Sequence, residues 1–184
     1  MRWQRLFEDL EAQAEQADQA MLDAEVADRT RREIARVRLA DRLRASIGTS
    51  IVIRVAGFGS LPGVVEAVGP DWILATERAG TEVLVPLRAV LGVAGLGSRA
   101  AVPGSEGVVQ ARLGLGYALR RIARDRSPVV VTLADGSTAL GVVDRVGADA
   151  FDLAEPGTAP NHPSARQNVN TVPFEAVSAV RRTV

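Results

Sequence analysis

Cysteine is absent from all 184 residues of the chain. Disulfides, thiolate metal sites and cysteine nucleophiles are excluded together. Histidine occurs once, at His162, inside the polar loop Pro156–Asn168. A zinc or iron centre would rest on carboxylates and that single imidazole, an unusual donor set. No Ser–His–Asp arrangement can be composed around one loop histidine, so no catalytic residue and no cofactor are expected. Lysine is absent too: all 22 basic residues are arginine, and they match 22 acidic ones. No global field draws in a polyanion. Loss of lysine alongside heavy use of Ala, Gly and Val fits the codon bias expected of a GC-rich bacterial genome better than selection for nucleic acid. No run of 18 uncharged apolar residues is present, so no transmembrane helix is expected. Met1–Leu10 sets Arg2 and Arg5 beside Glu8 and Asp9 and lacks the apolar stretch of a signal peptide. A cytoplasmic location follows as the expectation.

Residues 1–47 contain no proline and no glycine and predict helix. Phe7, Leu10, Ala14, Ala17, Met21 and Ala24 recur at spacings of three and four, which places them on one face as a short partner-helix seam. The spacing then meets charge at Asp28 and Arg31. Charge is also segregated: residues 1–28 hold eight acidic and two basic side chains, whereas residues 29–46 hold seven arginines against Glu33 and Asp41. Thr30 with Glu33 fits a capping box and predicts a second helix from about residue 30.

From Thr49 the pattern turns to short β-type runs at Ile51–Val55, Gly63–Val68, Trp72–Thr76, Val83–Val85 and Leu91–Val93, with turn signals between them. Residues 98–107 are a linker in composition. Val108–Ala123 predicts a helix with Ser105 as its N-cap. A second set of strands is expected at Val129–Ala134, Ala139–Val146, Ala150–Ala154, Val169–Val172 and Ala179–Val184, with Asp135-Gly136 as a hairpin turn.

The two β regions repeat each other. Ile51–Glu77 and Val129–Glu155 align without gaps, with nine of 27 positions identical. Gly63–Asp71 and Gly141–Asp149 share the pattern Gly-Val-Val-acidic-x-Val-Gly-x-Asp. Val85-Pro86-Leu87-Arg88-Ala89-Val90 then matches Val172-Pro173-Phe174-Glu175-Ala176-Val177, and Val93 matches Val180. Gly63 and Gly141, inside strand patterns, permit sharp bends. Asp71 and Asp149 fit turn positions where the carboxylate bonds nearby backbone N–H groups, and Trp72, replaced by Ala150 in the second copy, fits packing between the two units.

Helix, then five strands, with a mid-strand glycine and a Val-Gly-x-Asp turn, resembles the Sm-like group of SH3-type barrels. The likeness covers residues 39–95 and 113–184. It implies a mainly β fold with α: two five-stranded barrels, each with a helical leader, plus an N-terminal helical segment. The boundaries are 1–38 for the charged helical segment, 39–97 for the first barrel, 98–112 for linker and helix start, and 113–184 for the second barrel. The family's RNA-binding members carry a basic residue followed by glycine before the last strand. Here Leu87-Arg88-Ala89 and Phe174-Glu175-Ala176 stand there instead.

The expected function is a non-enzymatic protein-interaction or assembly module with a protein partner or self-association. The alternative is a nucleic-acid-binding protein, of RNA in the first instance, using Arg29, Arg31, Arg32, Arg36 and Arg38 or the cluster Arg120, Arg121, Arg124 and Arg126.

Overall fold

A computed structural model of the chain describes residues 2–102, 104, 112–154 and 169–183, and, within the first helix, the side chains of residues 7, 16, 19 and 21–36. The expected N-cap Ser105, residues 108–111 of the helix placed at 108–123 and the loop histidine His162 lie outside them; Leu113 and Gly114 are described and are not helical, so that helix starts at Leu115, later than expected. The chain divides into two compact units, Met1–Val37 and Arg38–Val184.

The first unit is one helix, α1 (Arg2–Arg36). Alanine, glutamate, glutamine and arginine dominate its sequence, and glycine and proline are missing, so nothing in it resists helix. The break expected near residue 30 does not occur. The Thr30 hydroxyl donates to the Val26 carbonyl at 2.8 Å, one turn back, instead of capping a new helix. Glu33 pairs with Arg29.

The second unit begins with a short helix, α2 (Leu39–Arg44). Asp41 is buried on it, where its carboxylate accepts the Arg38 backbone N–H at 3.0 Å and the Arg44 guanidinium at 2.8 Å. Five strands follow: β1 (Ser50–Val55), β2 (Gly59–Val68), β3 (Trp72–Glu77), β4 (Glu82–Pro86) and β5 (Val90–Ala94). After helix α3 (Leu115–Asp125) come β6 (Val129–Leu133), β7 (Thr138–Val146), β8 (Ala150–Ala154), β9 (Val169–Pro173) and β10 (Val177–Arg182). Single 3-10 turns at Leu87–Ala89 and Phe174–Ala176 join β4 to β5 and β9 to β10. Proline fixes φ at the entry of both turns.

Two closed barrels do not form. The ten strands make one continuous, open antiparallel sheet in the order β5-β1-β2-β3-β4-β10-β6-β7-β8-β9. This overturns the tandem Sm-like barrel architecture implied by the sequence resemblance. Neither half closes, because its fourth strand does not pair with its own fifth strand. Each 3-10 turn carries the chain from the fourth strand of its half over to the first, so β5 pairs with β1 and β10 with β6. The far edge of β4 is therefore left open within its own half, and β10 of the other half takes it.

The repeat survives as two equivalent halves of the sheet. Gly63 pairs with Ile51 on one side and Glu77 on the other, and Gly141 is the corresponding hinge of β7. A Cβ would stand 2.8 Å from the Thr76 carbonyl oxygen at Gly63, and 2.7 Å from that of Ala154 at Gly141. The neighbouring backbone occupies the space that any larger residue needs.

Each half has its own core. Ile51, Ile53, Leu61, Val65, Ile73 and Val85 fill the first, under Leu43 of α2. Val129, Val131, Val143, Phe151, Leu153 and Val172 fill the second, under Leu115 and Leu119 of α3. Among the described residues no helix is long and apolar enough to cross a membrane.

Candidate assembly interface

Alternation is the rule for a strand with one buried face, and β1 follows it, with Ile51, Ile53 and Val55 inward and the residues between them exposed. β4 and β10 do not. Val83, Leu84 and Val85 are all buried, as are Val177, Ser178, Ala179 and Val180. Val83 and Val85 enter the first core while Leu84 enters the second; Ala179 enters the first while Val180 enters the second. The two strands are shared walls, buried on both faces and correspondingly apolar. Val180 lies opposite Leu84, and Arg181 opposite Val83.

Side chains clamp this joint at its ends. Arg181 pairs with Glu77 at 2.5 Å and Arg182 with Glu82 at 3.3 Å. Arg88, on the first 3-10 turn, donates to the Val177 carbonyl at 3.1 Å. Burial lowers the Arg88 pKa below its usual value, and the carboxylates of Glu175 and Asp71 oppose that shift.

The β2–β3 turn holds the second half by its helix. Asp71 accepts the backbone N–H of Leu115 at 2.9 Å, capping α3 from 44 residues away. The local bond expected of a turn aspartate is replaced by a long-range one. Next to it, Trp72 packs on the second core and donates Nε1–H to the Leu113 carbonyl at 2.7 Å, in place of the other role its sequence position suggests, an exposed anchor for a partner. An open groove of about 450 Å³ runs between α3 and the joined strands, with Trp72, Leu84, Tyr117, Ile122 and Val180 among its lining residues and Arg121 beside them.

The two outer strands are the counterparts of the inner two. By the repeat, β9 corresponds to β4, and β5 to β10. Only Val172 of β9 is buried, and no residue of β5 is, with Leu91 at 65% exposure. Val83 and Leu84 are replaced by Asn170 and Thr171, and Arg181 and Arg182 by Ala94 and Gly95. Neither outer strand carries a charged residue. Edges are commonly blunted by charge, proline or bulges; here Pro173 lies at the end of β9, and the β1–β5 register shift falls between Arg54 and Val55.

The six seam positions are all in α1. Phe7 is 60% and Met21 72% exposed, and Ala24 is exposed; the side chains of Leu10, Ala14 and Ala17 lie outside the described residues. Of the arginines, Arg29 pairs with Glu33, Arg31 and Arg32 both pair with Asp28, and Arg126 pairs with Asp144. Arg120 donates to the Gly147 carbonyl at 3.1 Å. Arg36 closes α1, and Arg38 precedes α2. Arg121 and Arg124 stand exposed on α3. Among the described residues no group of three His, Asp or Glu side chains gathers to hold a metal ion.

Sequence reasoning missed the joint itself. The signal was present: Val83-Leu84-Val85 is apolar without alternation, whereas Asn170-Thr171-Val172 at the same place in the second half is not. No protein-family model, no curated protein and no solved structure matches the chain.

Proposed function

We propose that the protein is a non-catalytic assembly module that works through protein–protein contact along the open edges of its sheet. The observation that carries this reading is the uncharged state of β5 and β9. Both end the sheet, and an edge strand offers a row of unpaired N–H and C=O groups to another chain. The exposed Leu91 adds apolar surface on β5.

Sedimentation velocity over a range of concentrations tests it. The wild-type chain is expected to associate with rising concentration. Leu91→Lys and Asn170→Lys, each at an exposed edge position, are expected to shift it toward monomer. A monomer at every concentration, unchanged by either substitution, overturns the reading.

The nucleic-acid alternative has less support. Arg29, Arg31, Arg32 and Arg126 face carboxylates, which compete with phosphate for the same guanidinium groups. Fluorescence anisotropy with mixed RNA and DNA at low salt is expected to show no binding. Salt-sensitive binding at micromolar protein would restore the alternative.

A further inference from the structure

We infer that the occupant of each open edge is the opposite edge of a second copy of this chain, joined head to tail with β9 of one copy against β5 of the next. The inference rests on the assembly reading and adds the partner and the register.

The chain already contains one such joint. There the fourth strand of one half pairs antiparallel with the fifth strand of the other, Leu84 opposite Val180 and Val83 opposite Arg181. Within each half the strand pairings are equivalent: Ile73 faces Val85 as Phe151 faces Val172, and Ile53 faces Val93 as Val131 faces Val180. The sheet thus ends on a fourth strand, β9, at one side and a fifth strand, β5, at the other. These are the two elements that the chain already joins once. Carrying the internal register across gives Thr171 opposite Val93, and Asn170 opposite Ala94.

Charge at the neighbouring helix supports the same orientation. Inside the chain Asp71 caps α3, at Leu115. Its counterpart in the second half is Asp149, exposed at the β7–β8 turn. The counterpart of α3 in the first half is α2, which Arg38 precedes. Neither the Asp149 nor the Arg38 side chain has an ion-pair partner among the described residues. Head-to-tail pairing brings the carboxylate of one copy toward the guanidinium of the next. A β5–β5 or β9–β9 contact would not.

The outer joint lacks the two ion-pair clamps of the inner one, because Ala94 and Gly95 stand where Arg181 and Arg182 do. It should therefore be the weaker of the two, formed and released with concentration while the inner joint holds. A heterologous contact of this kind propagates until it closes a ring or runs on as a filament.

The absence of cysteine makes the test direct. Tagged Ala94→Cys protein and untagged Asn170→Cys protein, both at exposed positions, are mixed and oxidised as full chains, with circular dichroism confirming the fold of each. The expected product is the mixed disulfide, well above either homodimer. The double variant should give a ladder of cross-linked multimers. Homodimers alone would overturn the head-to-tail arrangement while leaving assembly standing. Absence of any disulfide, with wild-type chain still sedimenting as an oligomer, would overturn the register in the same way. Absence of both would overturn this inference and the assembly reading together. As a second readout, Arg38→Asp and Asp149→Arg should each weaken association about ten-fold, and the chain bearing both should recover it. Single variants that associate like wild type would overturn the orientation.

Discussion

The inner and outer strands of this sheet are the same two elements under different conditions. β4 and β10 lie between two cores and are buried on both faces; β9 and β5, their counterparts, have one core and an open side. The sequence responds at a few positions. Leu84 becomes Thr171, Val83 becomes Asn170, and the paired Arg181 and Arg182 become Ala94 and Gly95. A strand destined to join its neighbour permanently is apolar on both faces and clamped by ion pairs. Its counterpart at the edge is uncharged, with polar or small residues at those substituted positions.

The comparison breaks most severely at Leu84, which is 2% exposed and enters the second core from the first half. Leu84→Ala is expected to cost about 2–5 kcal/mol, as buried leucine truncations do. Thr171→Ala, at the exposed counterpart, should stay within about 0.5 kcal/mol. Urea unfolding of both variants measures the difference. Equal losses at the two positions would mean that the strands are not inequivalent in the way described.

A smaller but still large effect is expected at Gly57, in the β1–β2 turn. Its φ of +67° is a left-handed conformation, and a Cβ there would stand 2.9 Å from the Gly136 nitrogen and 3.1 Å from the Ala134 carbonyl oxygen. The turn of the first half thus lies against the Asp135-Gly136 hairpin of the second. Gly57→Ala should destabilise by about 1–3 kcal/mol through strain and the displaced backbone. Thermal unfolding checks it. Gly59→Ala, at φ +96° with nothing within 4 Å, separates the conformational part from the contact.

Asp71 and Asp149 give the third contrast. Asp71→Ala removes the cap of α3, at an expected cost of about 0.5–2 kcal/mol. Asp149→Ala should leave the stability of the separated chain unchanged, because its carboxylate is exposed and caps no helix among the described residues. A comparable loss at Asp149 would show that its local turn role, and not the long-range cap, is what the motif serves.

Much of the fold was legible. Short β-type runs and the turn residues between them located all ten strands to within a few residues, since each owes its place largely to local chemistry. The repeat was legible because both halves bury the same positions. Closure into barrels was not. Whether the edge of β4 stays free or takes a partner depends on residues about 100 positions away, and the resemblance to single small barrels carried no information on that. The unbroken apolar run Val83-Leu84-Val85 was what spoke to it. α1 was also extended past Thr30, because a hydroxyl one turn from a carbonyl serves a helix interior as readily as a cap. For the site, the absence of cysteine and the lone histidine narrowed the chemistry. The interface depends on pairing between distant segments and was visible only in the sheet order.

The smallest effect is expected at the clamps. Arg181 is 46% and Glu77 17% exposed in their side chains, so the pair is partly solvated, and water and salt screen most of its attraction. Arg181→Ala should cost under about 1 kcal/mol, and less at high salt. Its meaning lies in the reverse experiment at the outer edge. Ala94 is the counterpart of Arg181, and Glu155 that of Glu77. If the clamps are what distinguish a permanent joint from a reversible one, Ala94→Arg should strengthen association between copies several-fold at low salt and lose that gain as salt rises. Sedimentation at two ionic strengths reads it. An Ala94→Arg chain that associates more weakly than wild type at low salt would mean that charge at the edge acts as it does on most free strands, as a repellent. Permanence of the inner joint would then come from its buried apolar residues, Leu84 and Val180 among them, and from the Asp71, Trp72 and Arg88 hydrogen bonds.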